Sequence, residues 1–201
     1  MALMPLAAAG HDICVIHPVA SFTELDGSTE PFTGAAAAIG AIDDATATFA
    51  NALAHALDLV PFQIDEDGWP AHAAACTAAA GYVGLALSLA NELSFAAHIH
   101  EGAARGAYGR LAAQAVERFQ TSGATSSSGA IVRGDVDSLK RQIRAVRQHA
   151  SGFEEFVDAS TTASIHAAFT SGAIDIDTAR ALSAGAGAAL NENLPDQGPS
   201  A

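Results

Sequence analysis

The chain has 201 residues and a formal charge of −13, with half of its residues apolar but only 6% aromatic. That length suits one domain with an appendage, and the charge repels phosphate backbones and anionic membrane surfaces, which argues against nucleic-acid or membrane partners. Alanine carries much of the apolar count, so close-packed helices are expected rather than a sandwich of β-branched strands.

Two cysteines, Cys14 and Cys76, can build neither a disulfide framework nor a four-sulfur metal site, and both read as small buried hydrophobes. The opening MALMPLAAAG lacks the positive region of an export signal, and no apolar run nears the roughly 20 residues of a membrane span. The cytoplasm is the expected compartment.

Residues 2–9 read as the end of a helix closed by Gly10. A short buried strand over Ile13 to Ile16 is stopped by Pro18. SFTELDGSTEPF carries turn residues, and FTGAAAAIGA is a small-residue run compatible with an extended segment. Asp43 and Asp44 open a helix in which Phe49, Leu53, Ala56 and Leu57 recur at three- and four-residue spacing. LVPFQI reads as a strand after it. From Asp67 to Leu190 nearly everything reads as helix: a long first helix with Pro70 in its first turn and apolar residues all around, expected to be buried on several sides, then a second with Leu111, Ala115 and Phe119 on one stripe. TSGATSSSGA is a linker. Residues 135–149 form an amphipathic helix through Val136, Leu139, Ile143 and Val146, two more helices follow, and NENLPDQGPSA is expected to be a disordered tail.

Several constellations could carry chemistry. Arg133-Gly134-Asp135 suits an adhesion motif only on an exported protein, and it is a poor phosphate cradle without clustered glycines and a lysine. Its local chemistry favours a helix N-cap by Asp135, with Gly134 allowing the entry turn and Arg133 pairing with a neighbouring helix. His72, on an alanine-rich helix, is either a satisfied core histidine or a proton donor. His17 and Pro18 stand at a strand exit, where ligands approach α/β sheets. His98, His100 and Glu101 are read as surface residues, because a His-x-His pair at a helix end splays over different faces, and no metal is expected. Asp65, Glu66 and Asp67 introduce the long helix. No Ser/His/Asp nucleophile elbow appears, and GAAAAIGA is not a dinucleotide fingerprint.

Taken in order, IHPVASF, VPFQIDEDGWPAHAAAC and SGAIVRGDVDSLKRQI resemble the C-terminal part of Rossmann-like proteins that carry a helical domain of unknown function 2520, distant relatives of ketopantoate reductase and pyrroline-5-carboxylate reductase. The resemblance covers residues 3 to 150. It implies a mainly α fold: a helical bundle of the 6-phosphogluconate dehydrogenase C-terminal-like type over residues 67–190, preceded by an α/β Rossmann remnant over 1–66 and followed by the tail, 191–201. It implies a substrate-binding and dimerisation part of an NADP-dependent oxidoreductase acting on a small carbonyl or imine. His72 would be the proton donor, Arg133 the anion anchor with Asp135 beside it, and His17 and Pro18 the strand exit facing the cofactor. A homodimer and a small-molecule substrate are the implied partners. With the first Rossmann strands and their glycine-rich turn outside the resemblance, no NADP is expected to bind this chain alone, and a non-catalytic helical dimerisation or interaction module is the alternative. Ala71 stands where the family has tyrosine, Ala80 or Gly81 where it has asparagine, and Ser128 and Ala130 where it has threonine and proline.

Overall fold

The computed structural model describes residues 4–21, 32–122 and 129–192. Most of the expected turn before Phe32, most of the linker after Gln120 and the tail beyond Glu192 lie outside the described residues. The chain divides into two compact units, Met1–Val83 and Gly84–Ala201, and each has its own core.

In the first unit a short helix α1 (Met4–Ala8) ends at Gly10, whose φ of 84° is the left-handed conformation that glycine adopts without a Cβ clash. Three strands follow: β1 (Cys14–Pro18), β2 (Ala36–Ala41) and β3 (Val60–Gln63), hydrogen-bonded in the order β1-β2-β3. The ladder runs on past Ile16 to Pro18, which pairs with Ala37 at the end of the edge strand, where a missing N–H is tolerated. The small-residue run is the central strand. Ala37, Ala38 and Ile39 are all fully buried, because only small side chains let neighbours close over both faces.

β1 is antiparallel to β2, while β2 and β3 are parallel and joined through helix α2 (Asp44–Ala56). Asp43 caps that helix, its carboxylate accepting from the Thr46 N–H at 2.8 Å. The buried face of α2 is Thr46, Ala50 and Ala54, not the larger stripe that the spacing suggests. Phe49 (63% exposed), Leu53 and Leu57 face outward. Close approach of a helix to a strand of alanines selects small residues on the inner face, and this reverses the expectation.

A 3-10 turn at Glu66–Gly68 leads into helix α3 (Trp69–Cys76), so the acidic trio does introduce the helix. The helical path continues as a π-helical segment over Thr77–Tyr82. Helix α4 (Val83–Ala96) follows, then α5 (Glu101–Ser122). The expectation that the long first helix is buried fails: α3 buries no residue and α4 only Ser94. The stretch Glu66–Ala96 is the one helix among the described residues long and apolar enough to cross a membrane, with a mean hydropathy of 1.6 over its best window. Alanines interspersed with Val83, Leu85, Leu87 and Leu89 sustain that mean without an unbroken block of large apolar residues, so the expectation that no apolar run nears a membrane span does not hold for this stretch.

The second unit has a closed core made by α6 (Val136–His149), α7 (Glu154–Thr170) and α8 (Ile176–Leu190). Val136, Leu139, Ile143 and Val146 form the inward stripe of α6 as their spacing predicts, and Ile143 and Leu182 are almost fully enclosed. Gly185 lets α8 meet α6 closely, since a Cβ there would lie 2.5 Å from Val136 Cγ1. The basic residues of α6 serve α8: Arg147 Nη1 donates to the Ala189 and Glu192 carbonyls at 2.7 and 2.8 Å, and Arg144 pairs with the Glu192 carboxylate. Cations at the carbonyl end of a helix complement its dipole.

Candidate functional site

The strand registers of the first unit set three residues in a row across the sheet. His17 on β1 pairs with Ala38 on β2, and Ala38 pairs with Phe62 on β3. Directly paired residues point to the same face, so an imidazole and a phenyl ring flank a methyl group, with about 10 Å between the outer strands. Helix α3 delivers His72 into that gap. Its ring meets His17 at a centroid distance of 5.1 Å, nearly perpendicular, and Phe62 and Trp69 edge-on at 5.8 Å each.

Trp69 fixes where α3 begins. Its indole lies over Gly40, two residues from Ala38 and on the same face; a Cβ at Gly40 would come within 2.8 Å of Trp69 Cζ2. Glycine is therefore required there by the close approach, and the helix that starts at Trp69 carries His72 one turn on.

His17 Nδ1 and His72 Nε2 are 2.9 Å apart, and Cys76 Sγ lies 3.7 Å from the same His72 nitrogen. One imidazole donates and the other accepts, since two N–H groups cannot face each other at that separation. His72 and Cys76 are four residues apart and share one face of α3. A cavity of about 280 Å³ opens beside them, lined by His17, Pro18, Ser21, Cys76 and Ala80 among others. His17 is exposed, while His72 and Cys76 are half-buried. The floor beyond Cys76 belongs to the π-helical segment, and such segments concentrate at functional sites because the extra residue per turn widens the backbone and re-aims side chains.

The structure thus brings together His17, Pro18 and His72 and adds Cys76, which in the sequence reads as a small packing residue. The signals were present: the i, i+4 spacing of His72 and Cys76 on one helix, and the period-two alternation that puts His17, Ala38 and Phe62 on one face. Ala80, at a position where the resemblance has asparagine, lines the cavity and offers it only a methyl group.

Arg133 and Asp135 belong to the second unit. Asp135 caps α6, accepting from the Ser138 N–H at 3.0 Å, and Gly134 takes a φ of 64° at the entry turn. Hydrogen bonds from Ser138 hold the Asp135 carboxyl below the usual carboxylate range, helped by the charges of Arg141 and Arg133. Arg133 is exposed, and among the described residues no ion pair joins it to a neighbouring helix. Its exposure meets one requirement of an adhesion motif, but the carboxylate such a motif must present is engaged in capping. His98 and His100 are both exposed, and His100 Nδ1 accepts from the Gly102 N–H at the start of α5. A larger cavity, about 530 Å³, lies in the second unit between α4, α6 and α7, with an almost wholly apolar lining that includes Leu93, Ile143 and Val146.

These features define a mainly helical protein in which a histidine of a small three-stranded sheet meets a histidine of helix α3 beside a cavity. The chain belongs to the family described as Domain of unknown function (DUF2520), whose model matches residues 35–162. That span includes His72, Cys76, Arg133 and Asp135; His17 and Pro18 precede it. No curated protein and no solved structure matches the chain.

Proposed function

We propose that this chain is the substrate-binding and dimerisation part of an NAD(P)-dependent oxidoreductase that reduces a small carbonyl or imine. The observation that carries the reading is the His17–His72 contact beside a cavity at the exit of β1. Reduction by hydride leaves a negative charge on the substrate oxygen or nitrogen, and a positioned imidazole proton neutralises it. His72 is the proton donor in this reading. His17, in contact with it, would return a proton from solvent, and His17 and Pro18 at the strand exit would face the cofactor in this reading. Arg133 is the anchor for an anionic substrate group, and Asp135 orders the turn that carries it.

The helical part has, in this reading, the architecture of the 6-phosphogluconate dehydrogenase C-terminal-like bundles, and its second copy covers α4 and α5. Tyr82, Leu85 and Phe95, with Leu111, Val116 and Phe119 on α5, are large apolar residues left exposed in a single chain. An uncovered apolar surface of this kind is what a partner helix buries. The same exposure favours the second reading, a non-catalytic helical dimerisation or interaction module.

Fluorescence titration of NADPH and NADP into the 201-residue chain, with the oligomeric state recorded in the same buffer, separates them. The described residues hold no glycine-rich phosphate turn, so weak or no NADP binding by this chain alone is expected, together with a stable dimer. Turnover then requires a nucleotide-binding domain supplied with it, and its dependence on His72 is the decisive result. If His72→Gln leaves that turnover unchanged, His72 is not the proton donor; if no turnover appears with any nucleotide-binding domain supplied, the oxidoreductase reading is lost and the module reading stands.

A further inference from the structure

We propose that His17, His72 and Cys76 form a binding site for a divalent ion of the zinc class, with three protein ligands and an open coordination position facing the cavity. Among the described residues this is the one group of three potential ligands whose donor atoms converge, all within 4.8 Å of one another. The donor set is two imidazole nitrogens and one thiol sulfur, borderline to soft in character, which suits zinc, cobalt or copper rather than magnesium or calcium.

The spacing is close to what a tetrahedral ion needs. Metal–nitrogen bonds of about 2.0–2.1 Å and a metal–sulfur bond of about 2.3 Å place two nitrogens about 3.3 Å apart and a nitrogen and a sulfur about 3.6 Å apart. His72 Nε2 and Cys76 Sγ already stand at 3.7 Å. His17 Nδ1 and His72 Nε2, at 2.9 Å, have to open by about 0.4 Å, and the three donor atoms, which lie within 4.8 Å of one another, have to draw His17 toward about 3.6 Å from the Cys76 sulfur, so the exposed His17 ring is the ligand that adjusts. The scaffold is built for this. Two ligands sit at i and i+4 on one helix, the third comes from a strand 55 residues earlier in the chain, and the rings of Phe62 and Trp69 hold the His72 imidazole at its edges.

On binding, the Cys76 thiol gives up its proton to solvent and coordinates as thiolate, while both imidazoles bind through unprotonated nitrogens. Three protein ligands plus one open position is the arrangement of reactive rather than purely structural zinc sites, and here the open position meets the cavity lined by Pro18, Ser21 and Ala80. An ion bridging β1 to α3 also ties the strand to the helix, so it stabilises the first unit. A coordinated His72 has no free Nε2 to carry a proton. Metal binding and proton donation through His72 Nε2 are therefore exclusive in one molecule, so a loaded site competes with the proton-donor role of His72, while the binding itself is read without any turnover.

Cobalt(II) is the probe, because thiolate coordination gives a sulfur-to-metal charge-transfer band that the other histidines of the chain cannot produce. The full chain is titrated with Co(II), then with Zn(II) as displacing ion, and its melting temperature is recorded with and without Zn(II). The expected result is one equivalent bound, with the band present in the native chain and in Cys14→Ser and absent in Cys76→Ser. His17→Ala, a change at an exposed position that leaves the core intact, lowers affinity by at least the roughly 10–100-fold that even outer-shell substitutions cost. Zn(II) raises the melting temperature of the native chain and not that of His17→Ala. A band that survives Cys76→Ser, affinity unchanged in His17→Ala, or no charge-transfer band at all overturns the proposal.

Discussion

The bundle α6–α8 and the helix pair α4–α5 are both rich in alanine, yet one closes on itself and the other does not. In the bundle, large side chains such as Ile143 and Leu182 point inward and small ones, Ala186 and Gly185, let the axes approach. In α4 and α5 the large side chains of Leu85, Phe95, Leu111, Val116 and Phe119 are exposed, Leu87, Leu89 and Leu93 are only half-buried, and among the described residues only Ser94 and Ala104 are buried. Composition therefore does not decide whether a helix is self-sufficient. What decides it is whether bulky and small residues are sorted to complementary faces within one chain.

The comparison breaks first at the bundle core. Leu182→Ala and Ile143→Ala each remove a fully enclosed side chain and are expected to destabilise the second unit by about 2–5 kcal/mol, measured by urea unfolding followed by circular dichroism. Gly185→Ala, which drives a methyl group into Val136, costs about 1–3 kcal/mol in the same assay. If Gly185→Ala is neutral, the close approach of α8 to α6 is softer than described.

The α5 surface responds differently. Leu111→Glu combined with Phe119→Glu is expected to leave the unfolding free energy of the bundle nearly unchanged and to convert the proposed dimer to a monomer in sedimentation equilibrium. Loss of bundle stability with no change in mass would place these residues inside the fold after all.

The smallest effect is electrostatic. Asp43, Asp135 and Asp175 each accept hydrogen bonds from the residue three positions on, which holds their carboxyls below the ordinary range. A depressed folded-state pKa stabilises the protein above the unfolded carboxylate pKa, and that contribution disappears as the pH falls through the lower, folded value. Asp175→Asn keeps a cap acceptor for Thr178 and so melts within a few degrees of the native chain at neutral pH. Its melting temperature then falls less steeply with acidification than that of the native chain. An identical acid limb in both proteins would show that the cap charge carries none of the pH dependence.

Much of the second unit was legible in the sequence. The α6 stripe and the Asp135 cap are local features, set by spacing within one element and by one side chain reaching three residues ahead. Helix α2 was legible as a helix but not in its orientation, because hydrophobic size marks Phe49 and Leu53 while the strand of alanines beneath it demands Ala50 and Ala54. The histidine cluster was the least legible. His17 and His72 each looked plausible alone, but their meeting depends on the pairing of β1 with β2 and on where Trp69 starts a helix, and neither follows from local pattern. Cys76 gives no local signal, because a lone cysteine in an alanine-rich helix is ordinarily packing.

Trp69 is the chain's only tryptophan, and it sits over Gly40 with its ring 5.8 Å from that of His72. The protein therefore carries an intrinsic optical reporter at the one place where its chemistry is proposed to occur. Indole emission is quenched by a nearby protonated imidazole and altered by a coordinated one, so steady-state fluorescence of the unlabelled chain reads the state of the cluster directly.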